Sequence, residues 1–160
     1  MYLKRGFTVA ELMLTIAIGS ILMTLATMNL FGSKARTSLS TTVDILMTDL
    51  NHQQLKAMVG DSTLSSNPQS YGIRFNQNTY ELFRDVSYSS SDGHNFTVNL
   101  GDNISFNQTT FPDSQLIFAT LSGELLGFNP SSNSVIIRDQ ITGEQKTIVI
   151  NRFGVISEIN

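Results

Sequence analysis

A run of apolar residues from Phe7 to Phe31 contains one ionisable side chain, Glu11, and limits what this chain can become more than any other feature. At about 25 residues it reaches roughly 37 Å as an α-helix, against a bilayer hydrocarbon core of about 30 Å. A cleaved secretory signal normally has an apolar region of only about 7–15 residues, so this run reads as a retained anchor. Glu11 is the exception within it. A carboxylate in an apolar helix costs on the order of a few kcal/mol on insertion scales, and it is usually retained because it has a partner. If the chain were cut after Gly6, Phe7 would carry a new α-ammonium within one helical turn of Glu11, or of the Glu11 of an adjacent copy. The same cut would remove Lys4 and Arg5.

Beyond this run the chain changes character. Only 14% of residues are charged, against about a quarter in ordinary soluble domains, and the shortage is concentrated at the N-terminus. The remainder is polar and rich in Asn, Ser and Thr. A length of 160 residues leaves room for one small domain with an appendage. Cysteine is absent, which excludes disulfides, Cys-ligated zinc and thiol chemistry. The formal charge of −3 and a pI near 5.2 weigh against broad attraction to nucleic acid phosphates. Loss of Lys4 and Arg5 would take the side-chain charge to −5.

No proline or glycine occurs from Ser33 to Val59, so the helix can continue into an amphipathic half. Leu39, Val43, Leu46, Leu50 and Ala57 form a stripe at 3.6-residue spacing and should face a core, with Thr48, Asn51 and His52 turned away. Ile45 and Leu55 fall outside the stripe and are expected to be partly exposed or to meet a neighbouring subunit. Gly60-Asp61 reads as the helix stop, followed by a loop from Ser62 to Ser70. Short β-rich runs then alternate with turn residues. Strands are expected near Tyr71–Asn76, Thr79–Asp85, Phe96–Leu100, Ile104–Asn107, Leu116–Thr120, Glu124–Phe128, Val135–Asp139, Lys146–Ile150 and Val155–Ile159. Asn76-Gln77-Asn78, Ser122-Gly123 and Ile141-Thr142-Gly143-Glu144 read as hairpin turns. The Ser- and Gly-rich loop from Ser87 to Asn95 is expected to be mobile. The fold class is α+β: a long N-terminal helix packed on an antiparallel β-domain.

The residues Lys4-Arg5-Gly6-Phe7-Thr8-Val9-Ala10-Glu11-Leu12 closely resemble the prepilin signature of the type IV pilin and type II secretion pseudopilin superfamily. The resemblance implies that Gly6 ends a leader, that prepilin peptidase cuts before Phe7, that Phe7 is then N-methylated, and that Glu11 is the assembly glutamate. It implies four regions: a leader over 1–6, a transmembrane and assembly helix over 7–31, an amphipathic continuation over 32–60 and an extracytoplasmic β-rich domain over 61–160. The partners implied are other pilin or pseudopilin subunits, prepilin peptidase, an inner-membrane assembly platform and the lipid bilayer. Unlike many major pilins, the segment has no proline midway, where Met28 and Asn29 stand. Lys4 and Arg5 favour a cytoplasmic leader and an outer C-terminal domain, although Lys34 and Arg36 on the far flank oppose that count. The β-rich half is similar to the minor pseudopilin H and FimT-like group, in its strand rhythm and in turns such as Leu121-Ser122-Gly123-Glu124.

No catalytic constellation and no cofactor motif emerges. His52 lies on the polar helix face and His94 in a Ser/Gly loop, which reads as two solvated histidines. Asp92, Asn95, Asp102 and Asn103 are oxygen donors of the kind calcium prefers, without an EF-hand spacing, so no metal is expected. Three Asn-x-Ser/Thr triplets, beginning at Asn95, Asn103 and Asn107, are what chance provides in such a composition. The main reading is a structural filament subunit. The competing one is a DNA-binding minor pilin for natural transformation, or an adhesive tip subunit. Some FimT-like pilins bind DNA through arginines near the C-terminal strand, where this chain has Arg152. Arg74, Arg84, Arg138 and Lys146 would have to join it on one surface.

Overall fold

The computed structural model describes residues 8–60 and 68–160, and along the helix the side chains of residues 8–24 and 39–60. The chain divides into two compact units, Met1–Ala35 and Arg36–Asn160. One helix, α1 (Val9–Val59), begins in the first and ends in the second. Among the described residues no helix is long and apolar enough to cross a membrane. Gly60 ends α1 at φ +66°, with its N–H donating to Ala57 O at 3.2 Å, a left-handed cap that glycine adopts without a Cβ clash.

In the second unit, among the described residues, eight strands follow α1 and form two antiparallel sheets. The first contains β1 (Tyr71–Phe75), β2 (Thr79–Arg84), β3 (Phe96–Asn99) and β5 (Gln115–Phe118), in the order β3-β2-β1-β5. The second contains β4 (Ile104–Thr109), β6 (Ser134–Asp139), β7 (Gln145–Ile150) and β8 (Ile156–Ile159), in the order β4-β6-β7-β8. The helix packs on these sheets, the α+β layout expected. The run Glu124–Phe128 is not a strand. It makes one bridge, Phe118↔Leu125, because Leu121 at φ 65° and Gly127 at φ 65° turn the chain out of extended geometry on either side.

Register explains the core. Tyr71, Ile73 and Phe75 share a face with Tyr80, Leu82 and Arg84 opposite them, and period-2 alternation turns that face inward. The stripe Leu39, Val43, Leu46, Leu50 and Ala57 is buried in the same cluster as Ile73, Phe118, Val135, Ile137, Ile148 and Ile150. Ile45 and Leu55, outside the stripe, are about half exposed, at 48% and 55%. Aromatic rings close the seam between the sheets: Phe106 of β4 meets Phe75 edge-on at 5.1 Å and Tyr80 at 6.4 Å.

Polar ties fix the helix in place. Buried Tyr80 donates its hydroxyl to Asp49 at 2.5 Å, and burial first, then this bond, pushes the phenol well above its ordinary pKa. Gln54 donates to Gly123 O at 3.0 Å and Phe153 O at 2.7 Å, holding two turns against the helix end. Gly154, at φ +77°, permits this latch, since a Cβ there would sit 2.5 Å from Gln54 Nε2 and 2.8 Å from Gly123 O.

The loop before β3 is tethered, which its composition did not foretell. Asp92 accepts from Arg84 Nε at 3.1 Å and lies 2.8 Å from His94 Nδ1, and Tyr88 packs edge-on against Phe83 under the Arg74 guanidinium. The bonds from the His94 ring, then from the His94 backbone N–H and Arg84, hold the Asp92 carboxyl down at about 2. A depressed carboxyl stabilises above its ordinary value and loses that contribution as pH falls through its folded one. The protection of the His94 amide against hydrogen exchange, taken relative to its intrinsic rate at each pH, should therefore be full at pH 5 and be lost as pH falls below about 4 towards 2. Asp92→Asn should remove that dependence. In the core, Leu46→Ala should cost about 2–5 kcal/mol, while Ile45→Ala, one position before it, should cost under about 1 kcal/mol in thermal or denaturant unfolding.

Candidate functional site

Gly6 and Phe7, the expected processing residues, lie outside the described residues. The described site begins at Thr8, and its chemistry follows from Thr8-Val9-Ala10-Glu11, a threonine followed three positions later by glutamate at a helix start. Thr8 N–H and Thr8 Oγ1 both donate to Glu11 Oε2 at 2.9 Å, and Glu11 N–H points back to Thr8 Oγ1 at 3.2 Å. The two residues thus form a capping box that satisfies donors the helix would otherwise leave open. It also places a negative group on the positive end of the helix dipole. Glu11 therefore has a partner within its own chain. The threonine-to-glutamate spacing is the sequence signal for this pairing.

The rest of this segment is apolar on every side. Val9, Met13, Leu14, Ile16, Ile21 and Met23 are all at least 60% exposed, so no face is reserved for a core. Its hydroxyls turn inward instead: Thr15 donates to Leu12 O, Ser20 to Ile16 O and Thr24 to Ser20 O, at 2.8–2.9 Å. Such back-bonding satisfies a hydroxyl without solvent.

On the β-domain, the residues singled out from sequence are distributed as follows. Arg152 is exposed and lies 3.7 Å from Glu124. Arg74 and Arg84 lie on opposite faces of the first sheet, since Arg84 shares the face of Tyr71 and Arg74 alternates with it. Arg138 and Lys146 are likewise on opposite faces of the second, because Lys146 pairs with the inward Ile137. The fold does not bring these basic groups to one surface. The four oxygen donors do not converge either: Asp92 and Asn95 precede β3, whereas Asp102 and Asn103 follow it. Among the described residues no group of three or more His, Asp or Glu side chains is placed to hold a metal. His52 and His94, read as unrelated solvated histidines, both line one cleft of about 520 Å³ between α1 and the first sheet.

Residues 1–27 match the family described as the prokaryotic N-terminal methylation motif. No curated protein matches the chain, and no solved structure does. The match supports the type IV pilin and pseudopilin class for this chain.

Proposed function

We propose that this protein is a filament subunit, a minor pilin or pseudopilin, anchored in the cytoplasmic membrane through the segment that includes Phe7–Phe31 and later packed with related helices. The observation that carries this reading is the described helix from Val9 to Thr24, apolar on all sides, exposed, and with its hydroxyls bonded to its own backbone. A surface of that kind has no stable place in water. Lipid accepts it before assembly and neighbouring helices accept it afterwards. Prepilin peptidase cuts between Gly6 and Phe7, and the new α-amine is methylated. The β-domain is extracytoplasmic, and its helix-plus-two-sheet form suits the minor pseudopilin H and FimT-like group.

Within this reading, the capping box supplies Glu11 with donors while the subunit waits in the bilayer. Assembly then adds the Phe7 ammonium of an adjacent subunit as its counter-charge. The DNA-binding reading draws little support, because Arg152 stands beside Glu124 and the other basic groups are dispersed.

Co-expression with prepilin peptidase should remove Met1–Gly6 and leave a methylated Phe7, which mass spectrometry of the mature N-terminus reads directly. An intact Met1 would sink the proposal. Glu11→Ala and Glu11→Gln should both insert and be processed normally yet fail to enter sheared filaments, by analogy with the roughly 3–5 kcal/mol lost when one partner of a buried ion pair is removed. Thr8→Val separates capping from charge. It should fray the helix start by about 1 kcal/mol while leaving incorporation near normal.

A further inference from the structure

β3 is the last strand of the first sheet and, among the described residues, has no strand on its outer side. Proteins commonly protect such edges with lysine, proline, a bulge or a covering segment. At the other end of this sheet, β5 is covered: Leu126 N–H donates to Ile117 O, and Leu125 bridges Phe118. In the second sheet, β4 has a register shift after Phe106 and β8 carries Glu158. β3 reads Phe-Thr-Val-Asn, with no charge and no proline, and Phe96 is 64% exposed.

The backbone of β3 decides what can pair with it. Leu100 N–H donates to Asn78 O at 3.0 Å, and antiparallel bonding recurs at every second residue, so Phe96 and Val98 also turn their amides and carbonyls toward β2. Those of Thr97 and Asn99 point away from the sheet. Side chains alternate with the same period: Phe96, Val98 and Leu100 lie on the inward face with Tyr80 and Leu82, and Thr97 and Asn99 lie on the other.

A second copy of this strand meets both requirements in one register. An antiparallel pair must oppose outward-bonding residues to each other, which closes every register centred between two residues. Centred on Thr97, the pair would oppose Asp92 to Asp102. Centred on Asn99, it would set Asp102 against Phe96. Centred on Val98, it opposes Val98 to itself, Phe96 to Leu100, Thr97 to Asn99 and His94 to Asp102, so apolar meets apolar, polar meets polar and the ends are complementary. Arg84 and Asp92 are already paired, and Asp92 also holds His94 Nδ1. His94 Nε2 is then the donor left for the exposed Asp102 carboxylate of the second copy.

We propose that β3 pairs with β3 of a second copy of this chain, antiparallel and centred on Val98, joining two four-stranded sheets into one. The contact is isologous and closes at two copies. Its small area makes it weak, with a Kd on the order of 10–100 μM. It uses the β-domain alone and does not rest on the filament reading.

The chain has no cysteine, so single cysteine substitutions report the register without background. Opposed residues at the centre of this register form a non-hydrogen-bonded pair with Cα atoms about 4.5 Å apart, within the roughly 4.4–6.8 Å that a disulfide spans. Under mild oxidation, detergent-solubilised full-length Val98→Cys should therefore form disulfide dimers at least about tenfold faster than Phe96→Cys or Leu100→Cys, whose like positions are displaced by about 14 Å along the strands. Mixing Phe96→Cys with Leu100→Cys should restore the fast reaction as a mixed dimer. Thr97→Pro removes an outward amide, a change that an edge strand tolerates, and in the Val98→Cys background it should abolish cross-linking while leaving thermal unfolding cooperative. Equal rates from the three single variants, a mixed pair no faster than its components, or full cross-linking in the Thr97→Pro variant would overturn the proposal. So would the absence of a Val98→Cys dimer at about 500 μM protein, well above the expected Kd.

Discussion

Burial of the Leu39–Ala57 stripe holds the Arg36–Asn160 unit together. Two four-stranded sheets each have one apolar face to remove from water, and neither is closed into a barrel that would do so by itself. The stripe enters the same core cluster as both inner faces, and its removal would leave the sheets facing a void at the cost of their tightest contacts. The polar ties are secondary to this burial and set its geometry. Tyr80–Asp49 fixes the helix along its length, and the Gln54 latch fixes its end, each with a buried or half-buried donor that would be costly to strand.

The same helix has two unlike surfaces. From Leu39 onward it separates apolar from polar sides, as a helix serving one core must. From Val9 to Thr24 it makes no such separation, and every polar group described there is satisfied within two turns of its own backbone. Backbone geometry is common to both parts, so the difference lies entirely in what surrounds each. Water suits the polar side of the second and no side of the first. Glu11 fits this pattern, since its carboxylate is bonded to Thr8 at the helix start instead of projecting alone into an apolar surface.

Charge on the β-domain is distributed by strand alternation. Neighbouring basic residues in sequence end up on opposite faces, which dilutes any field toward an extended polyanion. In the cleft beside β3, a helix turn, a strand end and a loop converge and place Lys56, Arg84, His52 and His94 around one opening, with Asp49 in its lining and Asp92 paired to Arg84 and His94.

Much was legible in the sequence where a residue's role depends on its near neighbours. The apolar run, the prepilin-like Gly6-Phe7 and Glu11 pattern, the amphipathic stripe, the Gly60 stop and eight of the strands all follow from periodicity, capping and turn chemistry within a few residues. The ninth expected strand failed because positive φ at Leu121 and Gly127 is a conformational outcome that the β-rich composition of Glu124–Phe128 does not encode. The tethered Ser87–Asn95 loop depends on Arg84 and Phe83 of an adjacent strand, and its Ser/Gly content is silent about them. Only tertiary structure could bring His52 and His94 to one cleft or separate Arg74 from Arg84, because helix and sheet packing set those distances. Composition and spacing therefore pointed to the class of this protein, whereas the placement of charge was decided by long-range pairing, which a linear sequence specifies only through the energy of the whole fold.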